Sequence, residues 1–482
     1  MPHGYSGVEP DCGRQDEDRG IPMSTASVID DAQHQMWDMS RAMMRLSWAM
    51  TVLGAQQAAN MVTPSKMAKS GASMAAAFDA MSGAIEGQFG SGFQRAYRAG
   101  SAFALSPMEG LPSSELNRAM QSLVMQPIVF DSMKMMMPQL VASMSAFIPG
   151  RDASLARQEC EAKMEVMQLV QDVRKICPER SVHVPLAEIV AKAYALGSFP
   201  ALWAVEGIGH DFVEARRHRG ESLTDLLTSA EVADLPDGSL TMLHAGIGLG
   251  LAEIALDDLR PDSAPEKMDA ALRKFLDDCM SSSRKGYVGC ALESLGLVTR
   301  HFYGHSMVLA VDKRLEGIDE AMRGFFWHGV GRAVYFSPDN MLPGLSSPWP
   351  ADDMCDRLAP HDLARENMVA GVAWGMTMVN LKQPVVLEAL LHKHGGFADG
   401  SAFSNGVASS IIMRKDTTPD EEHIAAFVKY EPATSDASLE ALWDRVVRQP
   451  VRKALDEHYP AIKKQQRLGE IFRFQSLSEL AS

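Results

Sequence analysis

Four residues of this 482-residue chain have the side chains for proton transfer and share one kind of placement: Glu206, His244, Glu293 and His328. Each stands one or two positions ahead of a short run of small and apolar residues. Glu206 precedes Gly207-Ile208-Gly209, and His244 precedes Ala245-Gly246-Ile247-Gly248. Glu293 precedes Ser294-Leu295-Gly296, and His328 precedes Gly329-Val330-Gly331. Carboxylates and imidazoles drawn together and partly buried have their pKa values moved toward the range that general acid–base work needs. His210, Glu253, His301, His305 and Arg332 lie close to these runs and would line a groove that contacts a ligand. The same polar residues have a plainer use, as caps or hydrogen-bond partners of neighbouring helix ends. Both readings stay open at this level.

Other chemistries fit poorly. His301 and His305 have the i, i+4 spacing of metal ligands, but Phe302 stands where H-E-x-x-H has its glutamate. Two hydrogen-bonded imidazoles account for them as well, so no metal site is assigned. His392-Lys393-His394-Gly395-Gly396 reads as a helix end, with basic residues and a glycine stop. Gly246-Ile247-Gly248-Leu249-Gly250 looks like a nucleotide loop, yet Leu251 takes the place of the last glycine of G-x-G-x-x-G. No strand-like segment precedes it, and neither G-x-x-x-x-G-K-[ST] nor G-x-S-x-G occurs. No cofactor is expected.

The elements that must position these residues repeat. Small–apolar–small triplets begin at 207, 246, 294, 329, 371 and 406, at spacings of 39, 48, 35, 42 and 35 residues, the range of arrays built from helical pairs. Glycine inside a helix costs about 1 kcal/mol relative to alanine. Six such placements therefore need an offsetting gain, and close packing of each helix on the next supplies it. The fold class expected is all-α, with a Met-rich helical N-terminal region followed by an array of helical-hairpin repeats. Along the chain, residues 1–27 are expected to be disordered and 28–150 to form the Met-rich helical domain. Residues 151–434 should form the repeat domain and 435–482 a basic helical tail.

Within that plan Ile148-Pro149-Gly150-Arg151-Asp152 reads as a linker and Ser154 as the cap of the next helix. A short helix near Leu223 to Ala233 should complete the first repeat unit, Gly395-Gly396 should be a connecting turn, and two helices should meet around Pro460. The N-terminal methionines recur at helical spacing, either as core or as a surface for lipid or polymer; the chain has 32 in all.

With 46 Lys+Arg against 61 Asp+Glu the net charge is −15, which argues against nucleic acid as the main partner. Six cysteines without C-x-x-C spacing read as reduced thiols. Residues 1–20 lack an apolar signal core, and no run of about 18 apolar residues marks a transmembrane segment. Cytoplasmic localisation is expected. The expected partners are a hydrophobic small molecule or a protein, with a homo-oligomer left open.

Three stretches, Ala204-Val205-Glu206-Gly207, Met242 to Gly248, and Gly329 to Phe336, together with the later copies at Gly371 and Gly406, resemble a bacterial family of unknown function. That family is found in enediyne polyketide gene clusters, and the likeness spans about residues 200–413. The resemblance implies an accessory protein of secondary, polyketide-like metabolism that holds an apolar metabolite or a partner along the array. It brings no catalytic residues with it. Two alternatives remain: an enzyme using the Glu/His row for proton transfer or hydrolysis on a hydrophobic substrate, and a peripheral protein of lipid or polymer surfaces.

Overall fold

A computed structural model describes residues 150–173, 176–177, 182–336, 350–419, 421–433 and 436–482. The expectations for residues 1–149 therefore lie outside the described residues, the disordered terminus and the Met-rich helices included. Among the described residues every regular element is helical, and the chain is all-α. In order they are α1 (Gly150–Asp172), α2 (Leu186–Tyr194), α3 (Ser198–His218), α4 (Leu240–Leu256), α5 (Pro265–Ser282) and α6 (Val288–Val298). There follow α7 (His305–Leu315), α8 (Glu320–Phe336), α9 (Pro350–Leu358), α10 (Asp362–Asn380), α11 (Pro384–Ala398), α12 (Ser401–Thr417) and α13 (Glu422–Lys429).

Helix starts follow local chemistry. Pro265 and Pro384 open α5 and α11, where a missing N–H costs nothing. His361 accepts from the Ala364 N–H at the head of α10. Six helices (α3, α4, α6, α8, α10 and α12) carry the small–apolar–small triplets and are buried over most of their lengths. Helices enclosed on all sides need no polar face, and these show none apart from the C-terminal half of α3, where His210, Asp211, Glu214 and Arg217 are partly open to solvent.

Successive triplet helices pack against one another through a single kind of joint. Residues two apart on an α-helix point about 200° apart, so a small–x–small triplet bares two opposite sides of the helix. The first small residue meets the helix before it, and the third meets the helix after it. A Cβ at Gly246 would sit 1.9 Å from the Glu206 carbonyl oxygen of α3; one at Gly248 would sit 2.3 Å from the Ala291 oxygen of α6. Gly329 abuts the Glu293 carbonyl and Gly331 the Met368 carbonyl at 2.1 and 2.2 Å on the same measure. Gly371 and Gly406 abut the carbonyls of His328 and Ala370. In α6 the first small residue is Ser294, whose hydroxyl donates to the Ala245 carbonyl at 2.9 Å. In every one of these joints the first small residue touches the residue just ahead of the preceding triplet. The polar row ahead of the triplets is thus also the row of helix-to-helix contact.

Helices α5, α7, α9 and α11 lie between successive triplet helices in sequence, and each packs against one or both of them. At the far end α12 returns to α4, where the Thr241 hydroxyl donates to Asp416 at 3.1 Å. Helix α4 is the one described helix long and apolar enough to cross a membrane, but it lies buried between α3 and α6.

Several local expectations need correction. Residues 150–152, expected as linker, already form the first turn of α1, and Ser154 lies inside that helix. Between α3 and α4 only one-turn 3-10 segments form, Ala230–Val232 and Asp237–Ser239. The helix expected near Leu223 to Ala233 is broken at Asp225, whose φ of 57° is left-handed. At Gly395-Gly396 the chain does break, though not as an open turn: His394 (φ −123°, ψ 35°) kinks α11 into two helical pieces, the second running on to Ala398. The C-terminal tail does not divide at Pro460. Residues 437 to 464 run as one rod with two widened turns, Asp444–Arg448 and Ala454–His458, just before Pro450 and Pro460. A proline ring clashes with the carbonyl four residues back, and a π turn makes the room.

Candidate functional site

Four of the nine sequence-selected residues meet in one place. Arg332 of α8 donates from one guanidinium nitrogen to Glu293 Oε2 of α6 at 2.6 Å and from the other to Glu206 Oε1 of α3 at 3.2 Å. His328, one turn before Arg332, donates from Nδ1 to Glu293 Oε1 at 2.9 Å. All four side chains are essentially sealed from solvent. Glu206, Glu293 and His328 occupy the same place in their helices, one residue ahead of the triplet. Arg332 stands four residues after that place, on the same helix face.

Two aromatic rings cover this cluster. Trp374 of α10 lies under the Arg332 guanidinium, 4.4 Å from ring centre to Cζ. Phe472, from the C-terminal turn Leu468–Phe472, packs edge-on to His328 at 6.3 Å and against Trp374 at 6.0 Å. Burial raises the Glu206 pKa; Arg332 opposes that shift and the nearby Glu293 adds to it. Burial alone would lower the Arg332 pKa, but the two carboxylates outweigh it and hold the guanidinium firmly charged.

Three polar atoms of this assembly are buried and have no hydrogen-bond partner: His328 Nε2, Arg332 Nε and Trp374 Nε1. The imidazole is therefore held at one nitrogen by a carboxylate while the other is left over. That is the arrangement by which a carboxylate fixes the tautomer of a histidine base.

The other five residues lie elsewhere. His244 is buried on α4 but stacks on Tyr287, with ring centres 5.1 Å apart. Its Nδ1–H donates to the Leu240 carbonyl at 2.6 Å, and its Nε2 accepts from the Arg284 N–H at 2.9 Å. Burial pushes its pKa down to about 4. His210 pairs with Glu253 across α3 and α4 at 3.1 Å, partly open to solvent. Burial opposes the charged His210, yet Glu253 leaves its pKa raised. His301 and His305 do not share one helix face. Thr299–Tyr303 is a π turn, and Gly304 (φ 79°) separates it from α7, which His305 opens. Burial pushes His301 down to about 4. Among the described residues no three His, Cys, Asp or Glu gather as a metal site would require.

Trp374 and Phe472 were not among the sequence-selected residues. Trp374 had a signal: it follows Gly371 by three, as Arg332 follows Gly329. Phe472 had none, since it arrives from the tail. Neither a family model, nor a curated protein, nor a solved structure matches this chain.

Proposed function

We propose that this chain is a binding protein that holds a small, largely apolar metabolite at the charged centre of its helices. A carbonyl or hydroxyl oxygen of that molecule would face Arg332 and Trp374. The observation that supports this is the trio of orphaned atoms, His328 Nε2, Arg332 Nε and Trp374 Nε1. A buried donor or acceptor left without a partner costs about 1–3 kcal/mol, so two donors, Arg332 Nε and Trp374 Nε1, and one acceptor, His328 Nε2, around one pair of rings favour a molecule that satisfies them. Charge narrows its class. Two carboxyl groups, Glu206 and Glu293, already face the one guanidinium of Arg332, an excess of acidic groups. An incoming carboxylate would add to that excess, whereas a neutral oxygen acceptor would not. An accessory role in polyketide-like metabolism, implied by the sequence resemblance, suits such a ligand.

One observation favours a second reading, proton transfer on the same ligand. His328 is oriented by Glu293 through Nδ1 and keeps Nε2 for a substrate, as a general base would. The lipid- or polymer-surface reading rests on the methionines of residues 28–149, outside the described residues.

Native mass spectrometry of the intact chain tests the binding function. The wild type should carry a stoichiometric non-covalent adduct, and Trp374→Phe should lose it. The variant should keep its unfolding free energy within about 1 kcal/mol, because it removes an unpaired donor and little volume. A wild-type protein with only its bare mass, expressed in its native host, would sink the proposal.

A further inference from the structure

The sequence makes residues 435–482 the most basic part of the chain, by default a solvated face, with a docking tail for an acidic partner as the alternative. In the structure its cations are largely spent internally. Lys463 pairs with Asp416 of α12, Arg445 with Asp399, and Arg448 with Asp444. What the tail delivers is Phe472. We infer that residues 466–476 form a strap that closes the charged centre, and that ligand reaches His328 and Arg332 only when this strap lifts. The inference rests on the proposed binding site, whose regulation it supplies.

The geometry of the strap carries the argument. Its two ends are tied to each other, and each also touches the array around it, at Gly286 and at Asn405. On one side the helical rod is clasped to α12 and α4 through Asp416, which accepts from Tyr459, Lys463 and Thr241. On the other side Leu477–Ala481 returns to the same rod. Lys453 donates to Ser478, Gln465 to the Ala481 carbonyl and Arg467 to the Leu480 carbonyl. The intervening segment is a compact loop whose ends lie close together.

That middle is held to the array at three polar points. The Gly469 N–H donates to the Gly286 carbonyl at 2.6 Å, and the Phe474 N–H to Asn367 at 2.7 Å. Asn405 donates to the Gln475 carbonyl at 2.6 Å. Its apolar hold is Leu468, Ile471 and Phe472, all buried, so the resting state is closed. The strap begins at Gln466, whose φ of 58° is left-handed, a conformation uncommon outside glycine. Gly286 lies against it, and a Cβ there would sit 2.1 Å from the Gln466 carbonyl oxygen.

Two measurements on the full chain test the strap. In wild-type protein, the amides of Gly469 and Phe474 should exchange with solvent about 100-fold faster than the buried amides of α8, with little dependence on denaturant. Equal exchange rates and equal denaturant dependence would mean the strap opens only on global unfolding, and the inference would fall. In folded Phe472→Ala, or in Phe472→Leu if the alanine variant does not fold, diethyl pyrocarbonate should modify His328 at least about tenfold faster than in wild type. His244 should be unaffected. A folded variant in which His328 stays as slow as in wild type would also overturn it. Opening is read without any ligand. A strap that opens on a protein with no adduct removes the binding proposal alone, and an adduct on a strap that never opens removes this one.

Discussion

His244 and His328 are both buried histidines on triplet helices, and they occupy opposite kinds of site. His244 spends both ring nitrogens on backbone groups, Leu240 and Arg284, and so ties α4 to the turn ahead of α6. His328 spends one nitrogen on a carboxylate and keeps the other. A ring whose two nitrogens are satisfied by backbone is locked neutral and serves the fold. A ring held from one side by an acid is oriented and still has something to offer. Burial and residue type are the same in the two places; the second nitrogen separates them.

The largest effect that would sharpen this contrast lies in the arginines beside the two rings. Arg332→Met leaves the buried Glu206 unpaired and Glu293 with His328 alone, and should cost about 3–5 kcal/mol in urea unfolding. Arg284→Met should cost only about 1–2 kcal/mol. It removes side-chain bonds to the Leu227 and Val232 carbonyls but keeps the backbone N–H that holds His244. Similar losses at the two sites would break the comparison.

Next comes pH. His244 is neutral in the fold with a pKa of about 4, while in the unfolded chain it takes up a proton below its ordinary 6.5. Stability is therefore full above pH 6.5 and falls as pH drops toward 4, by at most about 3 kcal/mol from this group. His301 contributes in the same window, so the readout is a difference. Unfolding curves of His244→Gln at pH 7 and pH 4.5 should lie closer together than those of wild type. An unchanged gap would remove the assignment of His244 as a locked neutral ring.

A smaller contrast concerns the joints. Gly246→Ala presses a methyl on the Glu206 carbonyl and should displace Glu206 from Arg332, at about 1–3 kcal/mol. Gly396→Ala, where nothing lies within 4 Å, should gain up to about 1 kcal/mol in thermal unfolding. Equal effects would mean the triplets are not the points of contact.

Much of this centre could be read from the sequence, for a definite reason. Glu206, Glu293 and His328 share one register relative to their triplets, and equal register on equivalently packed helices brings side chains to one place. His244 stands one position earlier, a rotation of about 100° that turns it away from the others. His301 and His305 stand four apart in sequence, but Gly304, with φ of 79°, breaks the helix that would have aligned them. The rod through Pro450 and Pro460 was misread because the widened turns that absorb a proline leave no mark on composition. Phe472 escaped because no periodicity relates a tail residue to a helix whose centre lies well over 100 positions earlier.

The return of α12 to α4 also bears on how the chain folds. The joints between successive triplet helices link segments 35 to 48 residues apart, so each can form soon after its own helices. The Thr241–Asp416 bond spans 175 residues, and its loop-closure entropy is recovered only once the intervening helices have shortened the gap. The clasp at Asp416, and the strap that depends on it, are thus assembled last. A chain halted before that step would have its helices stacked and its charged centre still open to water.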